Sequence, residues 1–218
     1  MAASASDNSP IEAFRFLNLL ILVLIAIVGL QEEFIAEFLI WENGPIETFT
    51  VVAYFSAVGA LIISQRRQEL NFDLCAALLI LTMGLRELDF HDRFTTMGIL
   101  KSRFYISPEV PLTEKLIALV IVVVIAAVAL RFISRNGLSF LKGIRAGDKA
   151  ALLVLNGIIF TILSKLIDST PQLFARTVEE ILEFSIPLFF LAALLVQTDR
   201  VWSESTHNGR SRKLKETP

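Results

Sequence analysis

Residues Leu116–Leu130 read LIALVIVVVIAAVAL, fifteen consecutive apolar side chains without a polar atom among them. No soluble helix buries such a run on every side, whereas a helix in lipid needs no polar face. The apolar segment extends over about 112–133, close to the ~20 residues that cross a bilayer core of ~30 Å. A helix this uniform faces lipid over much of its surface. Working outward, comparable segments fall at about 14–31, 46–64, 74–93, 149–167 and 179–197. The expected fold is an all-α, polytopic membrane helix bundle of six transmembrane helices. It has a disordered N-terminus at 1–9, a membrane domain at 10–198 and a basic cytoplasmic tail at 199–218.

Composition agrees. The chain has 218 residues, 54% hydrophobic and only 19% charged, with a mean hydropathy of +0.63. One cysteine excludes a disulfide scaffold. A net charge of -2 and the lack of a separate basic domain argue against nucleic acid as a partner. Residues 1–9 (MAASASDNS) carry no Lys or Arg, and no small-residue cleavage site follows the first apolar run, so that run reads as a retained signal anchor.

Several helix starts are marked. Ser9-Pro10-Ile11-Glu12 places a cap, a proline at the first helical position and an early glutamate, and Asn43-Gly44-Pro45-Ile46-Glu47 repeats the device. Asp148, Thr170-Pro171 and Thr177 through Glu180 offer starts for the last two spans. Gly137 and Gly143 mark the fourth loop as a turn region. The third span is irregular: its apolar stretch, Leu74–Leu85, rises only ~18 Å, so it carries charged residues into the membrane or the bilayer thins.

Lys and Arg counts set the orientation. With the N-terminus inside, thirteen of the 20 basic residues fall on inner segments and seven on outer ones, while 14 of the 22 acids fall outside. Both termini are therefore expected to be cytoplasmic, in a bacterial inner membrane if the source is bacterial. The outer face is acidic and the inner face basic. The basic tail serves topology and touches anionic lipid.

Three ionisable groups gather at outer helix ends. Glu42 and Glu47 flank the turn before the second span. Arg86-Glu87-Leu88-Asp89-Phe90-His91-Asp92-Arg93 closes the third. Lys165 and Asp168 end the fifth, facing Glu179, Glu180 and Glu183 at the start of the sixth. On helical spacing, Arg86, Asp89 and Arg93 share one stripe and Glu87 and His91 another. Taken singly, each has a bland account: Glu47 complements a helix dipole, the arginines snorkel to headgroups, and Glu179 and Glu180 are solvated. Together, the acids near membrane depth outnumber the bases. Uncompensated charge there costs several kcal/mol per ion, so the set marks a functional site.

Glu87, His91, Asp168 and Lys165 are the candidate catalytic residues. Glu87 and His91 form an acid/base pair, Asp168 or Glu183 holds a metal or orients His91, and Lys165 or Arg86 steadies an anionic intermediate. Glu47, Asp92, Glu180 and Glu183 are candidate metal ligands. With His91 the one outer imidazole, oxygen ligands suit Ca²⁺, Mg²⁺ or Mn²⁺ better than Zn²⁺, and a metal-free ion-pair network is equally open. Gln31–Trp41 (QEEFIAEFLIW) reads as an interfacial amphipathic helix with Trp41 in the aromatic belt. The inner halves of the spans offer only uncharged polar groups such as Asn18, Ser56, Thr82 and Asn156, which argues against a coupled carrier. The leading expectation is a membrane-embedded hydrolase or lipid-binding protein acting on a lipid or lipid-linked substrate. The alternatives are an accessory subunit partnered with other membrane proteins, and a cation transporter.

Two short stretches, EEFIAEF (Glu32–Phe38) and the Phe90-His91 pair, resemble fragments of the alkaline ceramidase type of seven-span membrane hydrolase. That family's pattern includes further histidines on a late span. The one other histidine here, His207, stands in the terminal segment, so no ligand set is carried over.

Overall fold

The computed structural model describes residues 9–29, 38–39, 44–66, 73–90, 95–99, 101–167 and 173–215. Seven helices are described: α1 (Ser9–Gly29), α2 (Pro45–Arg66), α3 (Leu74–Glu87), α4 (Ser102–Ile106), α5 (Leu112–Arg145), α6 (Lys149–Ile167) and α7 (Leu173–Lys215). No strand occurs among the described residues. Among the described residues three helices, α2, α5 and α6, are long and apolar enough to cross a membrane, and α1 carries a shorter apolar stretch at Asn18–Val28.

The starts follow local chemistry. Backbone N–H of Thr48 donates to Gly44 O at the head of α2, and Glu47 stands in that first turn. Asp148 Oδ2 accepts from Ala151 N at 3.1 Å, capping α6. At α3 the cap is Asp73, whose Oδ1 accepts from Cys75 N at 2.9 Å. Helix α7 is described from Leu173, directly after the Thr170-Pro171 start and ahead of the Thr177–Glu180 alternative; residues 170–172 lie outside the described ones.

The fourth loop differs from expectation. Helix α5 runs without interruption through Gly137 and Gly143 to Arg145. The turn lies beyond both, at Ala146–Gly147, where Gly147 adopts φ +69°. Gly143 serves packing instead, since a Cβ there would come within 3.0 Å of Ala151 Cβ. The turn needs a left-handed residue, which Gly147 supplies without steric cost.

Helix α7 is the centre of the bundle, packed against α6, α2 and α1. Its Ile181, Phe189 and Ala193 form the main core with Ile21 and Val28 of α1 and Leu153 of α6. Phe160 and Phe189 meet edge to face, centroids 5.2 Å apart. Gly157 of α6 lies so close to the Phe190 ring that a Cβ would sit 2.8 Å from its Cε1. Helix α5 is peripheral, touching α3 and α6. Ala118 is its one buried residue, and 6% of its most apolar window is covered. A small second cluster (Ile99, Phe104, Val110) covers Ala118, and Thr96 donates to Glu114 Oε2 through both N (3.0 Å) and Oγ1 (2.8 Å). In the segment read as an interfacial helix, only 38–39 are described: Phe38 is exposed and Leu39 packs on the main core.

Candidate functional site

Short connections make α2 and α3 one neighbouring pair and α6 and α7 another. The C-termini of α3 and α6 therefore lie beside the N-terminal turns of α2 and α7. This brings Arg86 and Glu87 (α3), Ser164 and Lys165 (α6), Glu179, Glu180 and Glu183 (α7) and Glu47 (α2) to one end of the bundle. The bases sit where helix dipoles are negative and Glu47 where one is positive.

Glu183 is the hub. Its Oε1 accepts from Arg86 Nη2 at 3.0 Å, lies 3.0 Å from Lys165 Nζ and lies 3.4 Å from Ser164 Oγ. Arg86 Nη2 also reaches Glu87 Oε1 at 3.1 Å, and Lys165 Nζ stands 3.8 Å from Glu179 Oε1. The Glu87 and Glu183 side chains are 10% and 12% exposed, so these charges interact in a medium of low dielectric, where pairing is strong. Ser164 is fully buried; its single proton goes to Glu183 or to Thr161 O at 3.1 Å. Pro187, one turn beyond Glu183, has no N–H, so the Glu183 carbonyl lacks its helical donor.

Tyr54 of α2 closes the floor. It is 2% exposed and packs against Gly84 of α3, where a Cβ would come within 3.0 Å of Tyr54 Cβ. Helical side chains lean toward their own N-terminus, which directs the phenol toward the charged end. It lies within electrostatic range of Glu87, Arg86 and Glu183. Glu180 is likewise within range of Glu183, Glu179, Glu47 and Glu87.

The chain matches no family model, no curated protein and no solved structure. What the site can do therefore rests on its own chemistry.

Of the residues expected from the sequence, Glu87, Lys165, Glu180, Glu183 and Glu47 are gathered at this end. His91, Asp92 and Asp168 lie outside the described residues. The spacing argument for the second group, residues 86–93, needs correction. Helix α3 ends at Glu87, with Leu88 as its C-cap, and Asp89 takes φ 49°, so a left-handed residue interrupts the helix between Glu87 and His91. Among the described residues Arg86 pairs with its neighbour Glu87 and, across the bundle, with Glu183 of α7; Arg93 lies outside them. Among the described residues no three His, Cys, Asp or Glu side chains are arranged to hold a metal ion.

Two participants were not among the expected site residues. Tyr54 sits in an apolar run and carries no local signal. Ser164 is visible only as a hydroxyl at helical spacing from Asp168, while its acceptor Glu183 is on another helix. A third missed residue, Asp73, marks the opposite end: its Oδ2 accepts from Asn136 Nδ2 of α5 at 2.7 Å. Between the ends, Asn156 Nδ2 stands 3.4 Å from Asn18 Oδ1, linking α6 to α1.

Proposed function

We propose that the chain is a six-span membrane protein with both termini cytoplasmic, in a bacterial inner membrane, and that it works through a polar site sunk into the outer leaflet which takes a lipid or lipid-linked molecule. The observation that carries this reading is Glu183 Oε1, held at 3.0 Å by both Arg86 and Lys165. Helix lengths support the depth. From the Asp73–Asn136 link, α3 can rise at most ~21 Å before Glu87, short of the ~30 Å hydrocarbon thickness. From Lys149, α6 rises ~24 Å to Lys165 by the same arithmetic. With Asp73 and Lys149 at the inner boundary, the ion-paired end falls inside the outer half of the bilayer, where an amphiphile's head can reach it laterally from lipid. For a hydrolytic step, the proposed roles are proton transfer for Glu87 and the steadying of an anion for Lys165, with His91 and Asp168, outside the described residues, as the further proposed members. A divalent cation is the alternative occupant of the carboxylates.

The test is lipid retention. The full chain is purified in mild detergent and its co-purifying lipids are identified by mass spectrometry, beside Glu183→Gln and Lys165→Met. The expected result is a specific lipid class enriched on the wild-type chain and depleted on both variants. A lipid profile equal to bulk membrane in all three overturns the reading.

A second reading, an accessory subunit bound to another membrane protein, is favoured by one observation, the uncovered apolar surface of α5, where Ile117, Val120 and Val123 are each more than half exposed. Cross-linking from a photoreactive residue at position 120 separates the two: lipid adducts alone oppose this reading, and one recurrent protein adduct favours it.

A further inference from the structure

We infer that the C-terminal end of α5 binds the surface of the membrane: the stripe formed by Arg131, Arg135, Lys142 and Arg145, with Leu138 and Leu141 alongside, docks on anionic phospholipid headgroups of the inner leaflet. This goes beyond the Glu183 site. It rests on the proposed topology, with α5 crossing the bilayer and Arg145 inside.

Helix α5 is longer than a membrane requires. Its 34 residues rise ~51 Å, against a hydrocarbon core of ~30 Å. Counted from Leu116, ~20 residues of span reach Arg135, and the helix beyond it has no hydrocarbon to cross. That remainder stays close to the boundary all the same. Asn136 Nδ2 donates to Asp73 Oδ2 at the start of α3, at 2.7 Å, and Gly143 lies against Ala151 in the first turn of α6. The two contacts are ~10 Å apart along α5, yet both meet helix starts at the inner boundary. The segment between them therefore follows the membrane surface obliquely.

The charge of this segment has one sign. No acidic residue occurs between Glu114 and Asp148. The four bases fall at i, i+4, i+11 and i+14, within about 80° of one another around the helix. Asn136 and Gly143 lie roughly 120° round from them, so the packed face and the basic face are different. All four bases are exposed, and none makes an ion pair among the described residues. Two described carboxylates stand at this end. Asp73 accepts from Asn136 and Cys75 N, with Arg135 in electrostatic range, and Asp148 accepts from Ala151 N.

The leucines supply the second observation. Leu138 is 73% exposed and Leu141 54%, on and beside the same stripe. Lys142 and Arg145 alone would merely complement the negative end of the helix dipole, but leucines left in water forgo the gain of burial. Bases and exposed apolar groups together, on a helix lying along the boundary, match a layer of negative phosphates over hydrocarbon. Each base near such a surface strengthens attachment about fivefold, and arginine forks take phosphate oxygens in pairs.

The experiment uses the full chain with Leu138→Cys in a Cys75→Ala background, labelled with an environment-sensitive fluorophore. It is placed in nanodiscs of phosphatidylcholine alone or of equal parts phosphatidylcholine and phosphatidylglycerol. Both leaflets of a disc are alike, so the direction of insertion does not enter the readout. Blue-shifted emission is expected in the anionic discs, reverting at ~1 M salt, where the Debye length is about 3 Å. Lys142→Gln/Arg145→Gln should raise the phosphatidylglycerol fraction needed for the shift several-fold, and neutralising all four bases should abolish it. Arg131→Lys/Arg135→Lys/Arg145→Lys should keep the shift, as should Arg103→Gln on the exposed face of α4. If the four-base variant does not insert, the double variant carries the comparison. Equal emission in both discs, or a shift that survives in the glutamine variants, overturns the inference. Inorganic phosphate producing the shift in neutral discs overturns the lipid source. A photoreactive residue at position 141 that gives one recurrent protein adduct in cells, and no lipid adduct, overturns it in favour of a protein partner.

Discussion

Arg86 and Lys165 converge on a single oxygen of Glu183, each at 3.0 Å, from the C-terminal ends of two different helices. One carboxylate on α7 thereby ties α3 and α6 to the central helix. Glu183→Gln leaves two cations facing a neutral amide. The Arg86 and Lys165 side chains are 35% and 44% exposed, which reduces the cost below that of a sealed pair, to about 2–3 kcal/mol. Thermal unfolding in detergent checks this. The double variant Lys165→Met/Glu183→Gln should lose less than the sum of the single variants, because the second change removes a charge already stranded by the first.

The bundle's close contacts predict a graded glycine series. Gly157→Ala drives a methyl to 2.8 Å from Phe190 Cε1 and should cost about 1–3 kcal/mol, recovered in part by Phe190→Leu. Gly59→Ala meets nothing within 4 Å and should stabilise by up to ~1 kcal/mol through helix propensity. Equal unfolding temperatures for the two variants would contradict the α6–α7 packing.

At the other end, Asp73 predicts an acid-side stability loss. Partial burial pushes its carboxyl up, but hydrogen bonds from Asn136 and from the Cys75 and Ala76 N–H groups, with nearby Arg135, outweigh that and hold it below the ordinary carboxylate range. A carboxyl depressed in the folded state stabilises above its unfolded value, ~3.9, and the contribution fades as pH falls through the folded value. The stability gap between wild type and Asp73→Asn should therefore be present at neutral pH and shrink below about pH 4. A gap that stays constant on acidification removes the Asp73–Asn136 link from the account.

Topology is open to labelling. In a Cys75→Ala background, Lys101→Cys should react with an impermeant thiol reagent from outside intact cells. Lys142→Cys should react only after the membrane is opened. Reaction of both from the same side defeats the six-span arrangement and the proposed depth of the Glu183 site.

The Asn18–Asn156 pair, 3.4 Å apart, tests whether polarity runs through the bundle. Asn156→Ala should cost ~0.6 kcal/mol, the usual size for a hydrogen bond between spans, and leave lipid retention intact. Loss of function there as severe as at Glu183 points to a path across the membrane.

Much of this was legible in the chain because apolar runs and charge asymmetry are local quantities. LIALVIVVVIAAVAL makes a helix long and apolar enough to cross a membrane, Asp148 announces α6, and the clustering of charge at 86–93, 165–168 and 179–183 is plain from position alone. What sequence could not decide was which side chains meet. Helical periodicity pairs neighbours on one helix, yet Arg86 finds its partner on α7, because α3 stops at Glu87 and Asp89 turns left-handed. Tyr54 and Gly84 are unremarkable until packing presses one against the other. Gly143 looks like a turn and is a helix contact. The local chemistry of the residues fixes the helices and their ends, whereas three-dimensional packing decides that Glu183, and no other of the five carboxylates, stands between both bases.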